Sequence, residues 1–355
     1  MKLEARPPAE LVKFLDDPRP AVRDKAVELL VEAGEPAVEP LVRVRETHAS
    51  PEVRASAVFA LGRIAKGRAA EAVRAALDDS HFAVRIAAAR MVGLAKDREA
   101  VARLMQIVRK DEPPARRQAA TARGQIGDPQ AVPALVAAAA NPEDRFVEHS
   151  IIYSLITLQT PGPVLGALQN PSPQVRKAAL IALDQMDGSP LRREHLAVNL
   201  NDADPSLRRA ALWVASRHPD WSGEVVRLLR TRFRTQEVPP DEAEAVQQTV
   251  LSLCENGEMQ KAIGELLLLD TMEQCAVKDF PSPWTERLRQ QLRDRDAAAR
   301  GRVVALVRSR QIAALDDELE QVAAGERESG DLRAAALGVL VSRRPAIAEA
   351  GFRFL

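Results

Sequence analysis

Five histidines (His48, His81, His149, His195, His218) and two cysteines (Cys254, Cys275) are among the side chains here that could ligate a metal or act as nucleophiles. Two metal ligands share one helical face when they stand four residues apart, as in His-Glu-x-x-His, and no pair has that spacing. The cysteines lack zinc-site spacing and have no histidine close by in sequence. The pattern predicts solvated or helix-capping histidines and two buried thiols. A bridge between the thiols would need an oxidising compartment and a suitable backbone separation. There is no Gly-x-Ser-x-Gly elbow and no glycine-rich phosphate loop; Gly62, Gly93 and Gly124 fall late in helical segments, where they permit close packing or helix exit. No residue is expected to carry catalysis, and no cofactor is implied.

The arginines are spaced with far more regularity. Arg23, Arg54, Arg85 and Arg116 stand 31 residues apart, each inside a copy of one phrase, for example Pro51-Glu-Val-Arg-Ala-Ser-Ala-Val-Phe-Ala-Leu61. Drifting copies put Arg176, Arg208, Arg300 and Arg333 in the same slot, and between Arg116 and Arg176 the slot is read as Val147. A guanidinium is a rigid fork of donors that closes on carboxylates and loop carbonyls. The expected chemistry of these eight is therefore structural, a ladder at repeat junctions.

Each phrase follows a turn-forming cluster such as Asp16-Asp17-Pro18 or Ala49-Ser50-Pro51. Asp and Ser cap helix N-termini, and Pro suits the first turn. Val22, Ala26, Val27 and Leu30 then share one helical face. A second apolar stretch precedes each phrase, as in Ala37–Val44, so each unit reads as a hairpin of a short helix A and a longer helix B. A fixed period of this size means one supersecondary unit stacked many times. The predicted fold is all-α, one solenoid of ten or eleven hairpins over residues 1–355. It is regular over 8–220, irregular with longer loops (Thr231–Asp241, Asp279–Trp284) over 221–295, and regular again in the capping repeats 296–355.

Hydrophobic residues at 46% and charged residues at 28% fit a soluble folded chain. Fifty basic and fifty acidic side chains cancel, which argues against a dedicated nucleic-acid binder. Without an apolar run of spanning length or an apolar leader, no membrane insertion is expected. The expected compartment is the cytoplasm for the chain as given, or the periplasm for a segment of a larger exported protein.

Counted from the slot, positions +3, +4 and +7 point to the core, and +2, +5 and +9 point away. The +5 row reads Glu28, Phe59, Arg90, Thr121, Ile152, Ile181, Trp213 and Leu251, with Ile156 added at +9. In a solenoid the B helices line the concave face. Phe59, Arg90, Ile152, Ile156, Ile181, Trp213 and Arg217 are accordingly the candidate partner-binding residues, with packing against the next repeat as the alternative for the apolar ones. Charge is also divided: seven arginines lie between 205 and 234, whereas nine acids and only Lys261 lie between 237 and 273. Such a division could steer a partner or hold two faces together.

Ser50–Gly62 and Asp79–Gly93 follow the pattern Asp-Pro-x-Val-Arg-x-x-Ala-x-x-Ala-Leu-Gly, and the chain resembles the HEAT-repeat family, particularly its phycobilisome-lyase-like branch. The resemblance implies a ladder between the aspartate before helix B and the arginine within it. A narrower resemblance, in Ala211–Trp221, Leu266–Met272 and Pro281–Trp284, is to the HEAT segment of planctomycete-type dehydrogenase/cytochrome multidomain proteins, which implies a spacer or docking arm. This chain departs from those proteins in having no Cys-x-x-Cys-His haem site and no propeller repeats. The leading functional expectation is a non-catalytic scaffold that binds a protein through its concave face. One alternative is nucleic-acid binding, for which Lys25, Arg63, Arg90, Arg217 and Arg302 are interleaved with Glu28, Glu32 and Glu255. The other is the bilin-lyase-like role that the resemblance implies.

Overall fold

The computed structural model describes residues 3–64, 66–235, 240–341 and 343–344, which form helices, turns and loops with no strand among them. They divide into two compact units, Met1–Leu191 and Arg192–Leu355. In the first, six B helices (Pro20–Ala33, Pro51–Ile64, Phe82–Leu94, Pro113–Ile126, Arg145–Leu158 and Pro173–Gln185) each follow a shorter A element. The second unit holds five hairpins, whose B helices are Pro205–Ser216, Pro240–Ser252, Leu269–Gln274, Ala297–Ser309 and Gly330–Leu340.

The loop residues start the helices as their chemistry dictates. The Ser50 hydroxyl accepts from the Val53 amide at 3.3 Å, and the Asp144 carboxylate accepts from Phe146 and Val147, each at 2.8 Å. Asp204, Asp296 and Ser329 cap their helices in the same way. Four residues separate cap from slot throughout, as in Ser50 to Arg54 and Asp204 to Arg208. The expected loop at Thr231–Asp241 is shorter than the sequence suggested: helix Ser222–Thr235 runs into it and the next begins at Pro240, while 236–239 lie outside the described residues.

Successive B helices of the first unit pack through small residues. Ala57, Ala88, Ala89, Ala119 and Ala120 are fully covered, and the glycine eight positions after the slot removes the last obstacle to close approach. A Cβ on Gly93 would lie 2.9 Å from the Ala122 Cα, and one on Gly124 would lie 3.1 Å from the Ser154 Cα. Hydroxyls bond across the same seam, Ser154 Oγ donating to the Ala120 carbonyl at 2.7 Å. In the second unit Thr249 Oγ1 repeats the contact on the Leu212 carbonyl at 3.1 Å.

At the slot, five of the arginines close the loop behind them. Arg54 donates to the carbonyls of His48 (3.0 Å) and Ala49 (3.1 Å), and Arg23, Arg85, Arg176 and Arg208 repeat the grip on their own loops. Several also reach forward to the next hairpin. Arg54 holds Asp79 with both nitrogens of its fork, at 2.9 and 2.8 Å. Arg85 holds Asp111 and Glu112, Arg116 the Asn141 carbonyl and Glu143, Arg208 Glu242 and Arg300 Glu328. Arg333 donates to the Ala323 carbonyl at 3.0 Å. One arginine stands where the pattern calls for an aliphatic side chain. Arg123, seven past Arg116, is 1% exposed; it donates to the Val101 carbonyl at 2.8 Å, and burial lowers its proton affinity.

Two expectations follow from these contacts. Gly93→Leu forces the helices apart and should cost about 1–3 kcal/mol, read as a lower urea midpoint, whereas Gly162→Ala, which meets nothing within 4 Å, should leave the midpoint near wild type. Burial works against the charge of Asp79, but the Arg54 guanidinium and the His81 amide outweigh it and hold the carboxyl below its usual range. Asp111 is likewise held down by Arg85 against its burial. A depressed folded value means that stability is present above the unfolded value near ~4 and is lost as pH falls below it. The urea midpoint should therefore fall on acidification below pH ~4, and Asp79→Asn should lower it at neutral pH while flattening that dependence; an unchanged acid slope in the variant would refute the assignment to Asp79.

Candidate functional site

The outward face of the B helices is a stripe of residues four apart, at −3, +1, +5 and +9 from the slot. Its register in the fifth hairpin differs from the sequence expectation. Cap-to-slot spacing and the Ser154 hydroxyl contact put Glu148, not Val147, in the arginine slot, and Val147 is 1% exposed in the core. Glu148 pairs with Lys177 of the next helix at 2.7 Å. The +5 residue is therefore Tyr153, 51% exposed, while Ile152 is 8% exposed and packs inward. Ile152 thus points inward and not outward as the sequence suggested, because the interval from Arg116 to Glu148 is 32 residues, one more than the period of 31. Leu251 is displaced for the same kind of reason. The Thr249 contact, matching that of Ser154, makes Gln248 the outward residue and leaves Leu251 half-buried.

Phe59, Arg90, Trp213 and Arg217 stand exposed, and Ile156 and Ile181 are half-buried. Between the fifth and sixth B helices lies a cleft of about 280 Å³ lined by Arg145, Glu148, His149, Ile152, Tyr153, Ile156, Ile181 and Gln185. It has an apolar floor and a polar rim. Beside it Phe146 is exposed, with the guanidinium carbons of Arg145 and Arg117 at 4.8 and 5.8 Å from its ring centre. In the second unit Arg217 lies 5.1 Å over the Trp213 ring. Phe146 was missed in sequence, where the neighbouring Arg145 and a ring two turns before Tyr153 were the available signal. Rings flanked by guanidiniums suit holding a partner, since both groups give large contact area and directional attraction.

The histidines take up local duties. His48, His81 and His195 each accept a backbone amide through Nδ1, and His218 stacks on Trp221 with ring centres 3.8 Å apart. Among the described residues no group of three His, Cys, Asp or Glu side chains could hold a metal, and no helix is long and apolar enough to cross a membrane. The opposed charge runs of the second unit meet across stacked helices, where Arg208 and Arg230 pair with Glu242 and Glu265.

A model of the HEAT-repeat family matches residues 8–83 and 70–156, so this stretch consists of HEAT repeats, and the architecture is that of HEAT-type α-solenoids. The bilin biosynthesis protein PecE of Mastigocladus laminosus is 42% identical over 73 residues, which are 20% of this chain and 27% of that protein. At the level of fold the chain is similar to Kap121p, with a TM-score of 0.55 and 12% identity over 94% of this chain and 45% of that one. It is similar also to Kap95 in its complex with Nup1, with a TM-score of 0.52 and 14% identity over 97% and 54%. The chain thus spans about half the length of these karyopherin structures and about a quarter of PecE.

Cys254 and Cys275 are both free and buried. Burial, and then the contact with Cys254, push the Cys275 thiol far above its ordinary range, so little thiolate forms near neutrality. Iodoacetamide at pH 8 should leave both thiols unmodified in the native protein and alkylate both in urea; rapid labelling of the folded chain, read by mass spectrometry, would contradict this environment.

Proposed function

We propose that this chain is a non-catalytic helical-repeat scaffold that holds a protein partner on the outward face of its B helices. The observation that carries the reading is the recurrence of exposed rings at one repeat position: Phe59, Tyr153 and Trp213 all stand at +5. A single exposed ring is ordinary. The same position on equivalent helices, in a chain with only 3% aromatic residues, supports a contact role for that position. Support comes also from the fold, since structures of this kind include Kap95 in complex with Nup1 and Kap121p bound to the extreme C-terminus of the phosphatase Cdc14p.

Likeness to PecE supports a second reading, a role in handling bilins, for which a shift of the visible absorption band on mixing a bilin with the protein is the test. For the scaffold, Tyr153→Asp, Ile181→Asp and Trp213→Asp should each reduce partner capture from native extract by about tenfold or more, as for a ring at an interface centre. Far-UV circular dichroism should stay helical in each. Capture unchanged in all three variants would end the reading, and a loss of helical signal would instead assign the substituted residue to the core.

A further inference from the structure

From the second to the sixth B helix the outward stripe comprises twenty positions, running from Pro51 to Gln185. None of the twenty is buried and none is Asp or Glu, yet five are cationic: Arg63, Arg90, Arg117, Arg145 and Lys177. A chain with equal numbers of acids and bases therefore carries no carboxylate on the outward stripe of these five successive helices. The carboxylates beside the stripe already have partners. Glu112 is held by Arg85 at 2.6 Å, Glu143 by Arg116 at 2.9 Å and Glu148 by Lys177 at 2.7 Å, while Asp144 caps its helix. That leaves Arg63, Arg90, Arg117 and Arg145 with no ion-pair partner among the described residues.

Apolar groups alternate with these charges. Phe59, Ile86, Leu94, Tyr153 and Ile181 share the stripe, Leu94 being 59% exposed. At one end the first B helix inverts the sign, placing Asp24, Glu28 and Glu32 at the equivalent positions. Unpaired guanidiniums recur about once per helix, and packed helices stand about 10 Å apart. That interval is about three times the ~3.4 Å axial rise per phosphate of a duplex strand and is spanned by about three residues of an extended polypeptide. Five helices then span roughly 40 Å, the reach of about twelve extended residues.

Resting on the scaffold reading, we infer that the outward face of Pro51–Gln185 binds an extended acidic polypeptide segment of about twelve residues with apolar side chains interspersed. Its carboxylates meet Arg63, Arg90, Arg117 and Arg145, and its apolar side chains meet Leu94 and the Tyr153–Ile181 cleft. The acidic first helix repels the acidic run and so sets where along the face it stops.

Fluorescence anisotropy with the full chain tests this, using a fluorescein-labelled twelve-residue peptide of alternating Glu-Leu and Glu-Phe pairs. The same peptide with Lys for Glu, oligoglutamate of equal length and a twelve-nucleotide single-stranded DNA are the comparison probes. The expected result is binding of the Glu-Leu/Glu-Phe peptide that weakens with salt, no binding of the Lys version, and weaker binding of oligoglutamate. The triple variant Arg90→Glu, Arg117→Glu, Arg145→Glu should weaken the peptide by about tenfold or more. The corresponding triple Gln variant should show a smaller loss in the same direction, guarding against a folding artefact. Equal affinity for the Lys version, undiminished binding by both triple variants, or tighter binding of the DNA through the same arginines would each overturn the inference. Partner capture that depends on Tyr153 but survives the triple Glu variant would overturn the acidic segment alone and leave the scaffold standing.

Discussion

A hairpin of some thirty residues has too little apolar surface to form a core alone, so each one here must lie against the next. The seam where they meet is narrow enough that a methyl group at Gly93 would press on the backbone of Ala122. That one spacing constraint orders much else. It selects alanine and glycine along the inner rows, brings the Ser154 and Thr249 hydroxyls onto carbonyls of the preceding helix, and sets the separation that the forks of Arg54 and Arg85 must bridge. Close packing on one side also turns a regular stripe outward on the other, with one row of side chains per helix.

On the scaffold reading proposed above, this outward stripe serves contact. Its chemistry lies in rings, aliphatic side chains and guanidiniums repeated from helix to helix, so binding strength would be built from modest contributions in series. Extended partners suit such a surface, because each added residue finds another helix. The two thiols are buried in the frame, and His48, His81 and His195 accept backbone amides within it.

Much of the architecture is legible in the chain. The arginine period and the capping clusters give the hairpins, their order and their inward positions, because each depends on local chemistry repeated without change. Reading failed where the anchor was lost. In the fifth hairpin glutamate replaces arginine and the interval from the preceding slot is one residue longer, so counting by period alone lands on Val147 and turns Ile152 outward in place of Tyr153. Counting four residues from the Asp144 cap gives the right register, since cap geometry is fixed by the first helical turn and does not depend on loop length. The same slip affected Leu251, where the compensating signal, a hydroxyl on the seam, needs the packed partner to be seen. Arg123 was invisible for another reason: nothing local distinguishes an arginine that lies in the core from one in water.

The forward reach of the slot arginines has a consequence for dissecting the chain. Arg54 belongs by sequence to the hairpin that ends at Ile64, yet its carboxylate, Asp79, lies beyond the following A helix. The mechanical boundary of a repeat is therefore not the end of its helix B. A fragment stopped at Ile64 strands a guanidinium that has lost its anion and exposes the seam that Gly62 prepared for Met91. One stopped after Asp79 keeps the ion pair and carries a further helix as its lid. Excised pieces of such an array keep their integrity when they overlap, each retaining the opening of the hairpin after its last, as roof tiles stay watertight only when cut past the lap.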